Sequence, residues 1–282
     1  MILNQIKTVL LLGALAGLLI FIGGLIGGNA GFLYGFIIAL VLIGAQYFFS
    51  DKLVLMMYGA KEAPASQYPR LHKIVEEIAK KAGIPKPKVY IVPTEIANAF
   101  ATGRNPKHAV VACTQGIMKL LSEDELKGVL AHEISHVKNR DILVTTIAAV
   151  LAASINYIAQ MAQFAAIFGG GNNEEGRGNI AGTLVLAILA PIMALIIQLA
   201  ISRAREYLAD ESGAKTLKES KGLASALRKI QASAQAHPMR FGNHATASMF
   251  IINPFSLRGL TTLFNTHPPT EARIERLMKM KF

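Results

Sequence analysis

SEDELKGVLAHEISHVKNRD, residues 122–141, is a helix with chemistry on one face. Ser122 is placed to cap it, and Glu125, three positions on, completes a capping box. Glu123, Asp124 and Glu125 put negative charge at the positive end of the helix dipole. Leu126, Val129, Leu130 and Val137 then recur at helical spacing. On the same helix His132, Glu133 and His136 read H-E-x-x-H. Positions i and i+4 share a helix face, so both imidazoles reach one metal ion. Glu133 is placed to take a proton from a water that such a metal polarises. The pattern is a signature of zinc peptidases, and two surface histidines on an ordinary helix are the bland alternative.

The surroundings are those of a membrane protein. The chain has 282 residues, 52% of them hydrophobic and only 17% charged, with a positive mean hydropathy of +0.39. Four apolar runs without charge, 8–28, 31–49, 142–168 and 180–201, are each long enough to cross ~30 Å of hydrocarbon as a helix. Only Asn29 and Ala30 separate the first two, which must turn back as a hairpin. The first run follows Lys7 but exceeds the apolar core of a signal peptide, and a second span follows at once, so it reads as retained. The single cysteine, Cys113, excludes a disulfide within the chain and a cysteine zinc cluster.

Net charge is +11, without a dense arginine tract. The positive excess lies in 51–141 and above all in 202–282, while 142–201 is slightly negative. Charge sorted this way reports topology rather than nucleic-acid binding. The positive-inside rule places both termini and both polar blocks in the cytoplasm of a cell inner or plasma membrane protein. The Asn29 turn and the polar loop 169–178, GGGNNEEGRG, fall on the other side. Asn156, Gln160 and Gln163 share one face of the third run. They either hydrogen-bond to neighbouring helices or line a water-filled path.

Within 51–141, residues 68–81 have the pattern of an amphipathic helix closed by Gly83 and Pro85. KVYIVP at 88–93 reads as a strand, and NAFATG at 98–103 and HAVVACT at 108–114 as neighbouring strands around a turn. Residues 115–121 read as a short helix. His72, His108, His237 and His244 lack partners at ligand spacing and are read as structural or exposed.

A catalytic zinc takes three protein ligands and a water, so a third ligand must come from elsewhere. Directly after the fourth run, SRAREYLAD at 202–210 sets Glu206 and Asp210 at i, i+4 on one helix face. Glu206 can be the third ligand, and Asp210 can accept a hydrogen bond from the outer nitrogen of a ligand histidine. A surface pairing of Glu206 with Arg203 or Arg205 is the plain alternative. The third run leads away from His136 and the fourth returns to the same membrane face, which favours the ligand reading.

H-E-x-x-H, the downstream S-R-x-x-E-Y-x-A-D, N-A-F-A-T-G upstream and T-H-P-P at 266–269 together resemble the HtpX family of membrane metallopeptidases, relatives of the CAAX prenyl protease. The resemblance covers essentially the whole chain. It implies His132, His136 and Glu206 as ligands of one zinc ion per chain and Glu133 as general base. It implies peptide substrates and a quality-control role, the cutting of misfolded or unassembled membrane proteins on the cytoplasmic side. The family's N-A-F-A-T-G run falls on Asn98, Ala99, Phe100, Ala101, Thr102 and Gly103. As an edge strand beside the metal this run would receive substrate main chain by strand addition; an ordinary core strand is the alternative. Asn98 could also support a substrate carbonyl. His267 either donates to the oxyanion or caps the helix that begins near Thr270. Arg273 on that helix could pair with a carboxylate near the site, but reads more simply as a solvated charge. Residues 241–256 either line a groove or pack on the membrane.

The fold implied is a mainly α membrane protein: four transmembrane helices plus a cytoplasmic α+β zincin-like metallopeptidase domain. Residues 1–50 and 142–201 form the two membrane hairpins, and 51–141 and 202–282 the catalytic parts. Partners are polypeptides, chiefly membrane proteins, and the lipid bilayer, with no nucleic acid. An intramembrane protease is disfavoured because Lys127, Lys138, Arg140 and Asp141 flank the motif. A non-enzymatic zinc-stabilised scaffold or holdase is disfavoured by Glu133, which a purely structural site does not need.

Overall fold

A computed structural model describes residues 54–168, 174–236 and 268–282 continuously, with isolated positions before 54. The expected spans 8–28 and 31–49 lie largely outside the described residues, and His267, His237, His244 and the 241–256 segment lie outside them entirely. The chain divides into two compact units. One comprises Met1–Asn4, Phe48–Leu143 and Arg203–Phe282; the other comprises Gln5–Tyr47 and Val144–Ser202.

The first unit is α+β. Helix α1 (Pro69–Ala82) begins on proline and ends at Gly83, whose φ of 72° is the left-handed cap that glycine adopts freely. It buries Leu71, Ile74, Val75, Ile78 and Ala82, one apolar stripe at helical spacing. A four-stranded sheet holds β1 (Lys61–Glu62), β2 (Lys88–Val92), β3 (Ala99–Thr102) and β4 (Val110–Thr114) in the order β1-β2-β4-β3. Strand β2 runs parallel to β4, and β3 antiparallel to it. The central strand β4 is buried at every position, which its continuous VVACT run reflects. Strand β3 is therefore an edge. Gly103, at φ 117°, turns β3 toward β4 where a Cβ would stand 2.2 Å from the His108 carbonyl oxygen.

Thr114 caps the short helix α2 (Gln115–Leu120) by accepting from the Ile117 N–H. Helix α3 (Glu123–Lys138) carries the capping box: Ser122 Oγ accepts from the Glu125 N–H, and Glu125 Oε2 accepts from the Ser122 N–H. Almost all of α3 is buried, because α1, the β3 edge and helix α6 (Lys221–Ala236) all pack on it. Gly128 permits the last contact, since a Cβ there would lie 2.5 Å from the Leu223 backbone nitrogen. Helix α7 (Thr270–Met278) packs in turn on α6.

Two long helices supply most of the described part of the second unit. Helix α4 spans Asp141–Phe168, and α5 spans Glu174–Leu217 with Pro191 inside it. Among the described residues these are the two helices long and apolar enough to cross a membrane. Within this unit they meet through small residues, Ala148, Ala159, Ala162, Ala187, Ala190 and Ala194, all buried. Gln163 donates to the Ala187 carbonyl at 3.1 Å, the helix-to-helix role rather than a pore-lining one, while Asn156 and Gln160 are exposed. The 169–178 stretch differs from expectation. Helix α5 begins inside it, at Glu174, where two acidic residues suit a helix N-terminus and the apolar run behind them propagates the helix.

Candidate active site

Helix α3 presents His132 and His136 on one face with their Nε2 atoms 3.1 Å apart. Glu206, from α5, brings one carboxylate oxygen to 3.6 Å from His132 Nε2 and the other to 3.4 Å from His136 Nε2. One ligand atom from each of the three lies within 4.8 Å of the others. A tetrahedral metal with bonds of about 2.0–2.1 Å spaces its ligand atoms about 3.4 Å apart, so the observed separations fit one ion.

The hydrogen bonds behind the histidines fit it as well. His132 Nδ1 faces Asp210 Oδ1 at 2.9 Å, and His136 Nδ1 faces Asp141 Oδ2 at 2.6 Å. A carboxylate accepts, so each Nδ1 donates and each ring turns its Nε2 to the common centre, where a metal ion would displace any proton it carries. Two ring nitrogens and a carboxylate converging at this range call for a cation. The charges agree. With both histidines neutral, as ligands must be, the buried carboxylates Glu133, Asp141, Glu206 and Asp210 outnumber the buried guanidinium groups Arg205 and Arg273 by two among the described residues, a balance that suits a divalent ion.

Each group is tuned by these neighbours. Burial lowers the basicity of His136, but the Asp141 hydrogen bond and the nearby carboxylates outweigh it and lift the pKa to about 9. Burial would raise Asp210, but Arg273 and His132 overcome it and hold the carboxyl down to about 2. Burial raises Glu133 above the ordinary carboxylate range, with the two histidines opposing, which makes it a stronger base than an exposed glutamate.

The edge strand reaches the same point. Asn98, buried at 1% exposure, pairs through its backbone with Thr114, whose N–H donates to the Asn98 carbonyl. Antiparallel alternation then turns Phe100 and Thr102 toward β4, and Ala99 and Ala101 outward. The outward Ala101 N–H donates to Glu133 Oε2 at 2.9 Å. Gly103 closes the strand at the turn.

Arg273 corrects an expectation. It is not a solvated helix charge but, among the described residues, the largest fully buried side chain, at 1% exposure. Its Nε and one terminal nitrogen grip both Asp210 oxygens at 2.8 and 2.7 Å, and the other terminal nitrogen lies 3.3 Å from Glu206 Oε2. One helix read alone could not reveal that side chains of α3 and α5 close over it. Asp141 and Arg205 carry no signal of their own in the sequence. At about 100° per residue a continuing helix would carry Asp141 away from His136. Instead Arg140 takes a left-handed φ of 54°, a conformation costing a non-glycine residue about 1–2 kcal/mol, and turns Asp141 back. Of the other histidines, His72 bonds the Ala63 carbonyl and His108 is exposed.

Residues 65–281 match the model of Peptidase family M48. The chain is 52% identical over 280 residues to a protease HtpX homolog of Persephonella marina, covering 98% of this chain and 97% of that one. It is 53% identical over 275 residues to a homolog of the same description from Pyrococcus furiosus, covering 98% and 95%. The crystal structure of S. mikatae Ste24p superposes with a TM-score of 0.60 at 21% identity, a likeness of fold that covers 98% of this chain and 66% of that one.

Proposed function

The chain belongs to peptidase family M48 and is a metalloprotease, and from that premise we propose that it is a membrane-bound zinc endopeptidase that cuts misfolded or unassembled membrane proteins on the cytoplasmic side. The observation that carries this reading is the meeting of His132, His136 and Glu206 around one point, with Glu133 beside them and an edge-strand N–H on Glu133. His132, His136 and Glu206 would hold one zinc ion per chain, since two imidazoles and a carboxylate are a donor set of catalytic zinc. Bound there, zinc supplies Lewis acidity toward the scissile carbonyl and lowers the pKa of water.

The chain's own groups do the rest. Substrate main chain pairs with the outward edge of β3 at Ala99 and Ala101, taking the Ala101 N–H over from Glu133, which aligns its carbonyl without demanding a sequence. That tolerance suits a protease whose substrates are recognised by being unfolded. Glu133 takes the proton of the attacking water and passes it to the leaving amine, a transfer its raised pKa favours. Asp210 holds the His132 ring, and Arg273 keeps Asp210 ionised while buried. In the full reading, 8–28 and 31–49 add two spans to α4 and α5, and the positive-inside rule sets the catalytic unit in the cytoplasm.

Cleavage of casein by the detergent-purified chain tests this, comparing wild type with Glu133→Gln and measuring zinc in both. Expected are cleavage by wild type, a rate about 10²–10⁴-fold lower in the variant, and equal zinc near one per chain. A variant as active as wild type would remove Glu133 from the chemistry.

A further inference from the structure

We propose that Asp141 and Arg205 are positioning residues of the metal centre, acting through His136. This rests on the metal reading above. Asp141 Oδ2 takes the His136 Nδ1 hydrogen bond at 2.6 Å. Its other oxygen accepts from Arg205 Nε at 2.5 Å and from a terminal nitrogen of the same guanidinium. That terminal nitrogen also donates to the Asn139 carbonyl at 2.7 Å, at the C-cap of α3. Asn139 in turn donates through Nδ2 to Ser212 Oγ at 3.3 Å. Arg205 and Ser212 sit two turns apart on α5, so one helix face grips the turn 139–141 twice. Asp141 and Arg205 are 4% and 5% exposed.

The result is a second His–Asp–Arg chain beside His132–Asp210–Arg273, built from different residues. A ligand histidine must aim an Nε2 lone pair in one direction, and a carboxylate on Nδ1 fixes both ring and tautomer. Asp141 does this only if it is itself held, because its backbone follows a left-handed residue rather than a helix. Arg205 supplies the hold. As a planar fork it spans the Asp141 carboxylate and the Asn139 carbonyl together, which an ammonium group cannot do. Arg205 is also the chain neighbour of Glu206, so one turn of α5 delivers the third ligand and the brace for the second.

Position and charge make opposite forecasts here. If the pair acted only through charge, Asp141→Asn would weaken metal binding and Arg205→Met would strengthen it. A positioning role weakens both. Zinc dissociation constants of the detergent-purified full chain, measured by competition with a chromophoric chelator, separate these. Expected is a rise of about 10–100-fold in each of the two variants, with Arg205→Lys recovering part of it. Each variant's melting temperature at saturating zinc should stay near wild type, which a general folding defect would not allow. The conservative Asp141→Asn and Arg205→Lys keep the test open should Arg205→Met fail to fold. Unchanged affinity in the folded variants, or tighter binding in Arg205→Met, overturns the inference alone. A wild type that takes up no zinc overturns the metal reading and this inference together.

Discussion

Glu125 shows how one side chain serves two elements. Its carboxylate closes the capping box of α3 and also accepts from Ser225 Oγ at 2.6 Å and Lys229 Nζ at 2.8 Å on α6. Burial would raise its pKa, but Lys229, Ser225 and Ser122 together hold it down to about 2, against an ordinary value of 4.5. A folded pKa below the unfolded one stabilises above the unfolded value and stops doing so as pH falls through the folded one. The stabilisation from Glu125 is therefore full at neutral pH and fades between about pH 4.5 and 2. Melting curves of wild type and Glu125→Gln should differ at pH 7 and converge as pH drops through that window. A gap independent of pH would assign the effect to packing instead. The capping box and the grouping of His132, Glu133 and His136 are legible in the sequence because helical spacing is a local rule. Asp141 is not legible, because the left-handed turn at Arg140 breaks that spacing. Arg273 is misread for the opposite reason: its own helix is regular, and burial comes from elements far along the chain.

At the scale of elements, α3 is held so tightly that ordinary helix propensity reverses. Replacing a helix-interior glycine by alanine normally stabilises by about 1 kcal/mol. At Gly128 the added methyl would stand 2.5 Å from the Leu223 nitrogen, backbone that cannot rotate away. Overpacking of that kind costs about 1–3 kcal/mol. Gly128→Ala should therefore lower the melting temperature, and a rise would mean α3 and α6 do not approach this closely. The strands β2 and β4 and the helices α1 and α3 follow their sequence patterns within a few residues. The sheet order does not follow from pattern: alternation in 98–103 announces a strand, but only the pairing β1-β2-β4-β3 leaves it at an edge. The start of α5 at Glu174 likewise escapes composition, since glycine and asparagine nearby suggest a loop.

Across the whole molecule, the centre depends on α3, α5 and α7 being present together. At this centre four buried carboxylates face two buried guanidinium groups among the described residues, so on the zinc reading the loss of the ion leaves an excess of buried negative charge. Stripping with a chelator should lower the melting temperature and abolish cleavage, and added zinc should restore both. Ligand at 100 times its dissociation constant stabilises a fold by about 2.7 kcal/mol, a shift well within reach of a thermal melt. An unaltered melt after complete stripping would detach the ion from the fold. The apolar runs 142–168 and 180–201 lie between His136 and Glu206 in the chain, and this has a consequence during synthesis. The ribosome releases H-E-x-x-H first, and Arg273 follows His132 by 141 residues. On the proposed reading of the site, a nascent chain carries Glu133, His132 and His136 through the translation of both apolar runs before Glu206, Asp210 and Arg273 are made. The order of translation thereby delays a complete centre until the last helix, α7, has been made.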